Sequence, residues 1–155
     1  MQFNQIIAQG PTKNKLKDLV QNNRLSHALL FLGKEGSGAL PLAIAFAQYI
    51  LCEKVNPDSK AGNAISLFDS EETSTFINLE DSCGQCASCI KVNQLIHPDL
   101  HFSYPALKSD SKHDRVLSTD YITEWREFIE QTPSNNVADW IHFLKENSKS
   151  KIEAP

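Results

Sequence analysis

The sequence predicts an α/β fold: a strand, a glycine loop and a helix arranged as in phosphate-binding domains, with a four-cysteine metal module inserted behind the helix. Three observations predict it. Ala28 to Leu32 is a continuous apolar run, the pattern of a strand covered on both faces of a parallel sheet. Gly33 and Gly38 follow at the spacing of G-x-x-x-x-G-K-[ST]. Cys83, Cys86 and Cys89 form C-x2-C-x2-C, with Cys52 upstream as a fourth thiol.

Each element can be justified in chain order. Thr12 to Asn22 carries Leu16, Leu19 and Val20 at helical spacing, with charged residues between them. Leu25 to His27 leads into the expected strand. In the loop, Gly33, Gly36 and Gly38 would let backbone N–H groups curl around an anion. The lysine position holds Ala39 and the Ser/Thr position holds Leu40. So no cation lies ready for the β- and γ-phosphates, and no hydroxyl is there for Mg²⁺. Lys34 leaves the loop from a different place and does not substitute. The shape is that of an ATPase relative, and the chemistry argues against an ATPase. An ordinary glycine-rich turn that binds nothing fits the same spacing. Pro41 to Leu51 reads as a buried helix, with the proline in its first turn, where a missing N–H costs little.

Gly84 to Leu95 is expected to be a short helix carrying Cys86 and Cys89. Asp99 to Tyr104 alternates and reads as a second strand, ended by Pro105. Ala106 to Arg115 is polar and reads as a loop. Ser118–Gln131 and Asn136–Lys145 read as two amphipathic helices, with Trp125, Phe128 and Ile129 in a core or an interface. Asn147 to Pro155 looks frayed.

The cysteines point to metal. Four thiolates suit a closed, tetrahedral, structural zinc site with no position left for water. Three other readings compete. Disulfides conflict with the reducing compartment expected when no signal peptide precedes the domain. An iron–sulfur run of the bacterial ferredoxin kind would place its next cysteine at position 93 with proline after it, where this chain has Asn93 and Gln94. Free or redox thiols remain a third possibility. His97 and His101 compete with Cys52 for the fourth ligand position, and Cys52 is preferred.

The chain has 155 residues, enough for one domain or one with a short extension, and 41% hydrophobic residues, enough for a core. No apolar run approaches the roughly 20 residues of a membrane span. A net charge of −4 argues against a broadly basic nucleic-acid-binding surface. Residues 53–82 hold seven acidic and two basic side chains, so the acidity belongs to one segment. That polar stretch reads as a long, solvated excursion from Cys52 to Cys83, with residues 54–80 mobile and dispensable for folding. Zinc would staple its two ends.

Arg24–Gly33, the glycine loop, Leu51-Cys52, Cys83–Cys89 and His97-Pro98-Asp99-Leu100 together resemble the start of the bacterial clamp-loader AAA+ family of DNA polymerase III, over about residues 3 to 104. The delta-prime branch is the nearest in pattern and gamma/tau is its sibling. The resemblance implies a RecA-like AAA+ P-loop domain with a parallel sheet and a zinc module inserted at residues 52–89. Residues 1–155 would be the N-terminal part of that domain. The Walker B strand, arginine finger, lid and collar of the family have no counterpart here. Gamma-type members hydrolyse ATP and delta-prime is typically the non-hydrolysing member, so Ala39 and Leu40 favour delta-prime. The implied role is loading the sliding clamp onto primed DNA in DNA replication, as a cytoplasmic subunit of a DNA-directed DNA polymerase holoenzyme. The implied partners are gamma/tau and delta, with DNA and the clamp met through the complex, and no membrane. No catalytic residue, no ATP and one structural Zn²⁺ are expected. The excursion is longer than the family pattern. An active gamma/tau-like ATPase subunit and a free-standing zinc-binding interaction module are the alternatives.

Overall fold

The computed structural model describes residues 1–56, 80–107, 116–131 and 136–153, with side chains through Asn147 in the last stretch. Most of the acidic excursion and of the 106–115 loop lies outside the described residues. Five α-helices are described: α1 (Gly10–Gln21), α2 (Ala39–Leu51), α3 (Ala87–Asn93), α4 (Ile122–Gln131) and α5 (Val137–Glu153). Short 3-10 turns at Phe3–Gln5 and Ser118–Tyr121 accompany them. The chain divides into two compact units, one of residues 1–31 and 41–100, the other of residues 32–40 and 101–155.

The first unit is built around α2. Leu42, Ala45, Phe46 and Tyr49 are buried along this almost wholly apolar helix. A helix apolar all round must be covered, and Phe3, Ile6, Leu16, Val55 and Cys89 cover it. The Phe3 and Tyr49 rings lie 5.4 Å apart. Helix α1 buries Leu16 and stops in a left-handed turn. Asn23 sits at φ 51°, its N–H donates to the Val20 carbonyl and that of Arg24 to Leu19 at 2.8 Å. Those two bonds satisfy carbonyls that a helix end leaves open.

The second unit has an aromatic core. Tyr104 stacks on Trp125 with centroids 4.2 Å apart, and Trp140 stands edge-on to Trp125 at 5.1 Å. Phe128 packs 5.3 Å from Trp140. Trp125, Phe128 and Ile129, spaced i, i+3 and i+4 on α4, are therefore core residues. Helix α5 opens on a reciprocal cap. Asp139 N–H donates to Asn136 Oδ1 at 2.9 Å and Asn136 N–H to Asp139 Oδ2 at 3.1 Å. The helix runs on to Glu153, well past the end that its polar tail suggests.

The described residues contain no β-strand, so the parallel sheet expected from the sequence is corrected at both of its places. A strand exists only where a neighbour pairs with its backbone. No described segment pairs with residues 28–32, and Leu30 and Leu32 are 86% and 88% exposed. At 101–107 the alternation is genuine, because Phe102 and Tyr104 both face Trp125. Side chains, however, hold that backbone. Ser118 Oγ donates to the Tyr104 carbonyl at 2.9 Å, Trp140 Nε1 to that of Pro105 at 2.7 Å, and Tyr121 Oη to that of Leu107 at 2.8 Å. These donors take the place of a sheet ladder.

Candidate metal centre and glycine loop

The four cysteines belong to the first unit, and its local structure converges them. Cys52 follows directly on the last residue of α2 and is buried. Its carbonyl accepts from Val55 N–H at 3.1 Å and Asn56 N–H at 2.8 Å, which turns the chain at once. On the return side, Gly84 has φ +70°. A side chain there would be strained, and a Cβ would come 3.2 Å from the Gln2 amide. Cys86 is the N-cap of α3 rather than part of the helix, and Cys89 lies in the first turn.

Backbone donors point at the sulfurs. Cys83 N–H donates to Cys52 Sγ at 3.3 Å, Cys86 N–H to Cys83 Sγ at 3.3 Å, and Cys89 N–H to Cys86 Sγ at 3.4 Å. All four Sγ atoms lie within 4.8 Å of one another. Four bonds of about 2.3 Å in a tetrahedron put sulfurs about 3.8 Å apart. Cys83 and Cys89 Sγ are 3.9 Å apart. The four thiols therefore fit a single metal ion. A multi-iron cluster would need its cysteine sulfurs much farther apart. No disulfide joins the four cysteines.

The thiols are electrostatically unequal. Burial pushes the Cys83 thiol up, and the Gln85 and Cys86 N–H groups with the neighbouring Cys86 and Cys52 thiols pull it down further, to about 7. Burial pushes Cys52 and, more strongly, Cys89 upward. A cation at the centre would offset that cost for the buried pair.

Two carboxylates that sequence reasoning missed fasten the module. Glu53 Oε1 accepts from both the backbone N–H and the hydroxyl of Ser88, each at 3.1 Å. Asp81 accepts from Phe3 N–H at 3.1 Å, Asn4 N–H at 2.9 Å and Ser82 N–H at 2.7 Å. The one available signal was position, beside Cys52 and two residues before Cys83. The competing histidines are elsewhere. His97 is buried, with Nδ1 accepting from Asp99 N–H at 3.2 Å, and His101 is exposed. Among the described residues neither joins the cysteine group.

Gly33, Gly36, Gly38, Ala39 and Leu40 form one continuous loop into α2. Ser37 N–H donates to the Lys34 carbonyl at 3.0 Å, and Gly36 and Gly38 have φ +73° and +79°. A Cβ on Gly33 would come 2.1 Å from Ser37 Oγ and 3.1 Å from Ser37 Cβ, so an alanine there would turn the Ser37 hydroxyl to another rotamer. The chain turns tightly through these glycines. Ala39 and Leu40 open the helix without a cation or a hydroxyl.

Residues 8–77 match the family described as DNA polymerase III, delta subunit. The sequence is similar to a particular member of that replication machinery, DNA polymerase III subunit delta' of Bacillus subtilis (strain 168), at 30% identity over 90 residues. That alignment covers 58% of this chain and 20% of the relative, so the chain matches about a fifth of that protein's length. No solved structure matches the chain. Both sequence comparisons agree with the clamp-loader resemblance, and the family match includes Arg24–Gly33 and ends before Cys83. No described helix is long and apolar enough to cross a membrane.

Proposed function

We propose that this chain is the N-terminal part of a non-hydrolysing, delta-prime-type clamp-loader subunit of DNA polymerase III. Its part is to help load the sliding clamp onto primed DNA, beside gamma/tau and delta. The observation that carries the reading is Ala39-Leu40 at the end of a loop that keeps its glycine geometry, in a chain similar to a delta' subunit. Phosphoryl transfer needs a cation over the β- and γ-phosphates and a metal ion held against them. Neither residue supplies one. The loop then serves as a rigid turn on a subunit that presents surface to an ATP-binding neighbour.

In this reading Cys52, Cys83, Cys86 and Cys89 hold one Zn²⁺. Its chemistry is structural: four thiolates close the coordination shell, and the ion staples the end of α2 to the start of α3. The N–H groups on three of the sulfurs orient them. Residues 52–89 are thus an inserted module in an AAA+ domain.

The test is Mg²⁺-dependent ATP turnover by the full-length subunit, beside an Ala39→Lys, Leu40→Thr double variant. No turnover by the natural protein is expected, with ATP binding gained only in the double variant. Turnover by the natural protein overturns the reading in favour of a gamma/tau-like ATPase.

A further inference from the structure

We infer that Glu53 is a positioning residue for the metal centre: its carboxylate closes the ligand set before the ion arrives. The inference rests on the zinc reading above. Three of the four thiols lie within one run of seven residues, and Cys52 is 31 residues from Cys83. Bringing Cys52 to the other three means closing a long loop, an entropic cost that falls on whatever holds the ends together. The metal can bear that cost alone only by losing affinity. A contact that closes the loop independently of the metal removes that loss.

Glu53 makes that contact. It is the residue after Cys52, and its partner Ser88 lies between Cys86 and Cys89. The two bonds to Ser88 use no ligand atom, so they compete with no metal–sulfur bond. The other direct tie across the gap, Cys83 N–H to Cys52 Sγ, uses a ligand sulfur. The Glu53 bond also completes the α3 cap. Cys86 Sγ takes the N–H of Cys89 and Glu53 takes that of Ser88, two of the donors a helix start leaves open. Fixing the first turn of α3 fixes where Cys86 and Cys89 point. Asp81 acts on the other arm, tying the residues before Cys83 to the 3-10 turn at Phe3.

The experiment uses the full-length protein, natural and as Glu53→Ala, Glu53→Gln and Ser88→Ala variants. Zinc affinity is read by competition with a chromophoric chelator at fixed pH. Co²⁺ absorption reports tetrahedral thiolate coordination, and melting is followed with and without zinc. Loss of a partner that orients metal ligands lowers affinity about 10- to 100-fold. Glu53→Ala is expected to weaken zinc by about tenfold or more and to narrow the gap between metal-loaded and metal-free melting temperatures. Glu53→Gln keeps an oxygen that accepts both Ser88 donors, and should restore most of the affinity. Ser88→Ala loses one of the two bonds and should show a smaller weakening; if Glu53→Ala does not fold, this variant carries the test. Unchanged affinity in the variants overturns the inference. So does an equal drop of both melting temperatures at constant affinity, which marks a purely structural residue. Absence of zinc binding in the natural chain overturns the zinc reading instead.

Discussion

The cysteine module and the glycine loop are both recognisable motifs, but they have kept different things. The loop has its turns: Gly36 and Gly38 at positive φ, and Gly33 close against the Ser37 side chain. Its reactive positions carry an alanine and a leucine. The module has kept its reactive atoms: four sulfurs gathered within 4.8 Å, with backbone donors on three of them. In the proposed reading, geometry without ligating groups makes a turn, and geometry with them makes a site. The difference teaches where to look when a motif is degenerate, at the atoms that would touch the ligand rather than at the spacing.

The largest effect that sharpens this contrast is removal of a ligand. Cys86→Ser should abolish stable metal binding, because a hydroxyl is a poor substitute for a thiolate on zinc, while the serine still caps α3. Structural zinc can contribute ten or more kcal/mol of apparent folding free energy in small domains. The module should therefore open while α2 stays helical, which metal analysis and circular dichroism would check. Loss of the whole fold would mean the module is not separable from the α2 core. Next in size is Phe46→Ala in that core, expected to cost about 3–5 kcal/mol in a denaturant titration.

The loop should answer more mildly. Gly33→Ala turns the Ser37 hydroxyl aside on an exposed loop and is expected to cost about 0.5 kcal/mol or less by the same titration. If the loop holds no nucleotide, as proposed, this change leaves nucleotide affinity untouched. A Gly33→Ala variant that loses measurable ATP binding would show that the loop is a working site after all.

The smallest effect concerns the order of thiol reactivity. With its acidity drawn to about 7, Cys83 is largely thiolate above that pH and protonated below it. Cys89 and Cys52, pushed upward, stay protonated. In metal-free protein near pH 7.5, mass spectrometry should find alkylation at Cys83 ahead of Cys52 and Cys89, and it should slow as pH falls below 7. Zinc should protect all four. Fast alkylation in the presence of zinc would favour free thiols.

How much of this was legible in the sequence differs from residue to residue. Cys52 could be joined to a cluster 31 residues away because thiol chemistry leaves few other uses for it. Glu53 and Asp81 could not be singled out, because in an acidic stretch each looks like solvated charge. Ala28–Leu32 and Asp99–Tyr104 were read as strands because apolar runs and alternation report burial and facing, not the partner. Tyr104 does face a core, but that core is made of helices; its carbonyl is held by Ser118, and that of Pro105 by Trp140. The end of α5 was missed for the opposite reason. Its polar residues carry no periodic signal, yet the helix propagates through them from a well-capped start.

The most direct test of the account is the metal content of protein purified under reducing conditions without added metal. One zinc per chain, lost together when Cys52 or Cys86 is replaced, is the predicted result. Iron in its place, or fully reduced protein with no metal and four reactive thiols, would contradict it.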